Sequence, residues 1–200
     1  MIDERMFDFK SFYNRIAEQL PNDCNLVECG VADGDSALYM AKRLHELGKT
    51  FKLYMVDNLD YGGVNQLCTI YENIILSGLG KYIKVIPVGS VEASEMFNDD
   101  SLNFVFLDSS HEYSETKKEI IKWYPKLKDD CILAGHDFYS EENPGVQKAV
   151  VEMIPHIITR PPINKPDQQQ TFKPEQLLFT EDTERGNGVW HLTKRFWWKP

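Results

Sequence analysis

The sequence predicts an α/β fold, a doubly wound, mostly parallel sheet of seven strands with helices on both faces. Three observations predict it. Five short apolar runs alternate with stretches of helical periodicity, the pattern of strands joined by crossover helices. Runs such as FKLYMV (51–56) and NFVFL (103–107) are apolar nearly throughout, as strands buried on both faces must be. Three acids, Glu28, Asp57 and Asp108, fall at the ends of three of these runs, where open α/β sheets gather their ligands.

The elements follow in order. Phe9, Phe12, Tyr13, Ile16 and Leu20 recur at helical spacing, and Pro21-Asn22-Asp23 ends that helix. Residues 25–29 read as the first strand and Gly30 to Gly34 as a turn. Asp35 or Ser36 then caps a helix carrying Leu38, Ala41, Leu44 and Leu47, with Gly48 as its stop. The second strand, 51–56, closes on Asp57. A polar loop, 58–65, leads to a helix with Leu67, Ile70, Tyr71, Ile74 and Ile75 on one face, ended by Gly78 and Gly80. A third strand spans 82–88 and a short helix 91–97. The fourth strand, 103–107, closes on Asp108. Residues 116–127 read as a helix with a Thr116/Glu119 capping box. The fifth strand is 131–134, and Pro144 suits the first turn of a further helix. Two last strands, 176–180 and 188–193, are joined by the polar turn 181–187.

At 200 residues the chain fits a single domain, 1–200, with its N-terminal helix inside 1–22. The proline- and glutamine-rich stretch from Pro161 to Pro174 reads as a surface insertion, about 160–175. The Phe196, Trp197, Trp198 cluster is expected to pack on the body. A net charge of −9 without any Lys/Arg block excludes a basic nucleic-acid stripe. No run reaches transmembrane length, and the charged N-terminus lacks a leader's apolar core. The four cysteines form no CxxC pair, and Cys29 and Cys131 lie in apolar runs, which points to a reducing, cytoplasmic setting.

The turn E-C-G-V-A-D-G-D-S (28–36) carries the first chemistry. Glycines there let the backbone turn tightly and approach a ligand closely. The spacing is GxxxG, unlike the GxGxxG of dinucleotide binders, and Glu28 and Asp35 flanking the turn would repel a pyrophosphate. They suit a cationic ligand with an amino group. This motif resembles the first motif of class I S-adenosylmethionine-dependent methyltransferases, whose fold is Rossmann-like. The stretches D-S-S-H-E-Y (108–113) and A-G-H-D-F (134–138) resemble a branch related to macrocin-type sugar O-methyltransferases and, more distantly, catechol O-methyltransferase.

The resemblance implies a cofactor site of Glu28, Gly30, Gly34, Ser36, Asp57, Ser90, Val91 and Asp108. Asp57 would take the ribose hydroxyls and the Gly89-Ser90-Val91 turn would sit beside the adenine. It also implies two catalytic readings. In metal-dependent relatives, a carboxylate ending the fourth strand and an acidic or amide pair ending the fifth hold Mg²⁺; here Asp108, His136 and Asp137 would be the ligands, and the imidazole suits Mn²⁺, Fe²⁺ or Zn²⁺ better than Mg²⁺. In the metal-free reading, His111 or His136 is a general base oriented by Asp108 or Asp137. Tyr54, Tyr61, Tyr113, Phe138 and Tyr139 are candidate wall residues. The N-terminal helix and the 58–65 loop are expected to cover the site, and 161–174 to shape the acceptor pocket. His45 and His156 read as ordinary helix-surface residues. The partner implied is a small-molecule acceptor, most simply a hydroxyl, with no nucleic acid, no membrane and a homodimer open. Two alternatives stand beside it: a non-catalytic cofactor-binding protein of this fold, and an NAD(P)-dependent oxidoreductase, which the glycine spacing disfavours.

Overall fold

The protein is represented by a computed structural model that describes residues 7–158, 178–181, 183 and 185–194. The insertion read at 160–175 and the Phe196–Trp198 cluster lie outside the described residues, as does the side chain of His156. The described elements are α1 (Lys10–Gln19), β1 (Cys24–Cys29), α2 (Asp35–Glu46), β2 (Phe51–Val56), α3 (Gly63–Ser77), β3 (Ile83–Ile86), α4 (Ser90–Ser94), β4 (Leu102–Leu107), α5 (Tyr113–Trp123), β5 (Leu127–Gly135), α6 (Pro144–Ile158), β6 (Leu178–Glu181) and β7 (Val189–Thr193). They form one seven-stranded sheet in the order β3-β2-β1-β4-β5-β7-β6. Strands β1 to β5 pair in parallel, and β7 runs antiparallel to both β5 and β6.

Strand β4 shows why the sheet is covered twice. Phe104 and Phe106 face a layer built with Phe12, Tyr13 and Ile16 of α1 and Leu38 and Leu44 of α2. Val105 and Leu107 face the opposite layer, with Ile120 and Trp123 of α5 and Val146 and Val150 of α6. Side chains alternate across a strand, so an all-apolar run supplies both cores at once. Each helix contributes one stripe: Phe12, Tyr13, Ile16 and Ala17 are the buried residues of α1.

Helix ends follow their local chemistry in two cases. The Gly48 N–H donates to His45 O at 2.9 Å and the Lys49 N–H to Leu44 O at 3.0 Å, a Schellman closure of α2 with Gly48 left-handed at φ +70°. Pro144 opens α6, where its missing N–H costs nothing.

Other boundaries depart from the periodicity. Helix α2 is capped by neither Asp35 nor Ser36. Gly34 is the N-cap, and the Ser36 hydroxyl turns inward to Glu28. Helix α5 starts at Tyr113, so Thr116 lies inside it and bonds the carbonyls of Ser110 and Glu112 at 2.9 and 3.0 Å, while Glu119 turns away to Ser109. No capping box forms there. Leu127 belongs to β5, because Pro125 stands in a 3-10 turn over Tyr124–Lys126 that ends the helical path. Strand β3 is shorter than 82–88, and α4 starts and stops earlier than 91–97. On α3, Ile70 and Ile74 are buried, but Tyr71 and Ile75 are exposed. No helix among the described residues is long and apolar enough to cross a membrane.

Candidate active site

The site is built on the carboxyl ends of the parallel strands. After β1 the chain bends through Gly30 (φ +81°) and Gly34 (φ +90°). A side chain at Gly30 is impossible, because a Cβ there would stand 2.0 Å from the Asp108 carbonyl oxygen. Asp57 then pins this turn. Its Oδ2 accepts the N–H groups of Val31 and Ala32 at 2.9 and 3.1 Å, and its Oδ1 accepts the Leu59 N–H at 2.8 Å and the Gln66 amide at 3.2 Å. The buried carboxylate therefore fixes the geometry of two loops, with all its usual acceptor sites engaged.

These turns enclose a cavity of about 920 Å³. Of the residues singled out from sequence, Gly30, Ser36, Asp57, Ser90, Val91, Asp108, His111, His136 and Asp137 line it. Glu28 and Gly34 do not. Glu28 is buried beneath the turn, accepting the Tyr13 hydroxyl at 2.7 Å and the Ser36 hydroxyl. Burial pushes it up to about 7 against the lowering effect of those two donors. Among the proposed wall residues, Tyr61 lines the cavity. Tyr54 packs edge-on against Phe97, Phe138 is buried in the core, and Tyr139 bonds Thr180. Tyr113 and Lys117, which sit at a Tyr-x-x-x-Lys spacing, both turn to Glu152. The cover also differs from expectation in detail: Phe7, Asp8 and Phe9, just before α1, line the cavity, while α1 itself packs on the sheet.

At the β4–β5 end, acids and imidazoles converge. His111 Nε2 stands 2.9 Å from Asp137 Oδ2 and 3.6 Å from Asp108 Oδ1. It is buried yet makes no aligned hydrogen bond. His136 Nε2 pairs with Asp8 Oδ1 at 2.8 Å, and its Nδ1 faces Asp137 Oδ1 at 3.4 Å and Asp108 Oδ1 at 3.7 Å. Asp137 sits at φ +60°, held by the Asn143 amide at 3.2 Å, a left-handed conformation of the kind that collects at functional sites. The carboxylates of Asp108 and Asp137 beside it favour the imidazolium and push His111 up to about 10 against its partial burial. Burial works against the His136 imidazolium, but Asp137, Asp108 and Asp8 outweigh it and push it up to about 9. Burial raises Asp108, whereas the two imidazoles hold Asp137 well below the usual carboxylate range despite its own burial.

Among the described residues, the set whose ligand atoms lie close enough to share one cation is Asp108, His111 and Asp137. The donor set fits a divalent ion: two carboxylates and one imidazole, whose buried Nε2 has no aligned partner. The structure thus groups His111 with the two acids, and Asp8 engages the His136 nitrogen that faces away from them. Asp8 was not legible in the sequence, since it lies 128 positions from its partner and in no motif. The Thr183 hydroxyl and the Arg185 N–H also donate to Asp8, at 2.7 and 3.1 Å, so one carboxylate joins the N-terminal segment, β5 and the β6–β7 turn.

Comparison with known proteins bears on the activity. A family model described as a methyltransferase domain matches residues 27–138, over half the chain. No curated protein matches the sequence significantly. Similar solved structures include a Corynebacterium glutamicum protein (TM-score 0.68, 13% identity, covering 100% of this chain and 85% of that one). An rRNA methylase of Streptococcus thermophilus gives 0.63 at 14%, with 98% and 99% covered. A SAM-dependent O-methyltransferase of Thermotoga maritima gives 0.60 at 14%, with 100% and 68% covered. At these identities the likeness carries the fold. The family match, spanning the glycine turn through the His136-Asp137 pair, places this chain among the class I S-adenosylmethionine-dependent methyltransferases.

Proposed function

We propose that the protein transfers the methyl group of S-adenosylmethionine to a hydroxyl oxygen of a small molecule, with a divalent cation held by Asp108, His111 and Asp137. The carrying observation is the convergence of those three side chains on one edge of the cavity that the glycine turn opens. The resemblance of residues 108–113 and 134–138 to macrocin-type sugar O-methyltransferases supports the hydroxyl.

Methyl transfer from a sulfonium is an in-line displacement, and the cofactor already carries the activation. The chain's tasks are to hold the acceptor oxygen against the methyl carbon, exclude water and take up one proton. A cation in the Asp108–His111–Asp137 set would supply a Lewis acid that lowers the acceptor hydroxyl's pKa. His136 takes up that proton in its deprotonated form, so turnover rises as pH approaches its raised pKa of about 9; Asp8 fixes its Nε2, and its Nδ1 faces the cavity acids. Phe9 packs its ring against His136 at this end, 5.0 Å between centroids. The wall also carries Asp33, Asp35, Glu92, Glu95 and Glu115, a field that disfavours a polyphosphate acceptor such as RNA.

The test is a turnover assay with radiolabelled methyl donor against catechol, hexose and RNA acceptors, with Mn²⁺ or with EDTA. The expected result is methylation of a hydroxyl compound that falls roughly 10- to 100-fold on chelation or in His111→Ala. Methylation of RNA, or turnover indifferent to both EDTA and His111→Ala, would overturn the proposal.

A further inference from the structure

A second acid of the cavity is unused by the chemistry above. Glu119 projects inward from α5, and its side chain is buried, yet it forms part of the cavity wall. Its position is built. The Ser109 hydroxyl donates to Oε1, and the Ser90 hydroxyl lies close enough to the same carboxyl to favour its charged form. Ser90 is itself fixed from behind, accepting the Trp123 indole N–H at 2.9 Å. One serine donor leaves a carboxylate with spare acceptor capacity, since its oxygens offer about four lone-pair sites. No described ion pair supplies a cation to it. Burial pushes its pKa up to about 7 against the two serines. A desolvated, cavity-facing carboxyl of this kind is costly unless a ligand brings it a donor.

The sheet order says which part of a ligand reaches it. His136 and Asp137 follow β5 and Ser90 follows β3, with β2, β1 and β4 between them. If the cluster at β4–β5 handles the acceptor, the donor's methyl must lie at that end. Its purine then extends toward β3, where Val56, Gly89 and Val91 leave an apolar wall beside Glu119. The purine's exocyclic amine is its neutral N–H donor, and Glu119 is the buried acceptor at that end.

We propose that Glu119 reads the base of the cofactor, accepting an N–H of the adenine 6-amino group while Ser109 holds it in place. The proposal rests on the S-adenosylmethionine reading. It assigns base specificity to an acid on α5, in addition to the turn after β3.

The test is calorimetric titration at about pH 8.5, where Glu119 is ionised despite its raised pKa, of wild type and Glu119→Gln with S-adenosylhomocysteine and with S-inosylhomocysteine, in which a carbonyl oxygen replaces the amine. Wild type is expected to bind the inosyl compound at least about tenfold more weakly, because the carboxylate meets an acceptor in place of a donor. In Glu119→Gln the side-chain amide can donate to that oxygen, and the preference should shrink by about tenfold. Equal binding of both compounds by wild type would overturn the assignment whether or not the variant folds, as would an unchanged preference in a folded variant. Failure of wild type to bind S-adenosylhomocysteine at all would instead remove the cofactor reading beneath it.

Discussion

Asp57 is the residue on which the cofactor turn depends most. Its carboxylate accepts four protein donors, two of them backbone N–H groups of the glycine turn. Asp57→Ala leaves buried donors without partners, at about 1–3 kcal/mol each. The variant is expected to lose stability in urea denaturation as well as affinity for S-adenosylhomocysteine; affinity loss at unchanged stability would show that Asp57 serves the ribose alone. At the same scale, the imidazoles give a pH signature. His111 and His136 are raised to about 10 and about 9 from ordinary values near 6.5, so the folded state holds protons that the unfolded state has lost. The stability they contribute is complete below about pH 6.5 and is lost as pH rises through 9 to 10. Metal-free protein should therefore show a falling urea midpoint between pH 6.5 and 9.5, and His136→Asn should flatten that fall. An equal fall in the variant would remove His136 from the cluster's electrostatics.

Among the elements, the β1–α2 turn and the α1–β1 contact carry the local energetics. Gly30→Ala drives a methyl group into the Asp108 carbonyl, and a cost of about 3 kcal/mol or more is expected, read as loss of soluble protein or a markedly lower melting temperature. Tyr13→Phe removes the hydroxyl that Glu28 accepts at 2.7 Å and should cost about 1–3 kcal/mol in the same measurement. A silent Tyr13→Phe would mean that α1 is held by its apolar face alone. Element existence was legible in the sequence because β1 and β4 are buried on both faces and cannot disguise an apolar run. The capping box at Thr116 and Glu119 was misread for a physical reason. Both residues fit the local motif, but Glu119 is turned by Ser109, a residue that follows β4. Local chemistry at Gly48 and Pro144 was read correctly because both positions are exposed and their backbone geometry is set locally.

For the whole molecule, the sheet order brings Glu28, Asp57 and Asp108 to one edge, and that convergence was legible from three strand ends. The allocation of roles among the acids was not. Glu28 lies under the floor, held by Tyr13 and Ser36, and His111 joins the two acids in the cation set, while Asp8 arrives from the N-terminal segment. Such assignments depend on which loop folds over which strand end, and nothing local in the sequence encodes them. The central claim is that one acid-rich cavity holds both S-adenosylmethionine and a divalent cation. It is tested most directly by calorimetric titration with S-adenosylhomocysteine in EDTA and in Mn²⁺, with a separate Mn²⁺ titration of wild type and His111→Ala. The account predicts cofactor binding in both buffers and Mn²⁺ binding that weakens roughly 10- to 100-fold in the variant. Cofactor binding without any Mn²⁺ heat would contradict the cation site, and the absence of cofactor binding in either buffer would contradict the account as a whole.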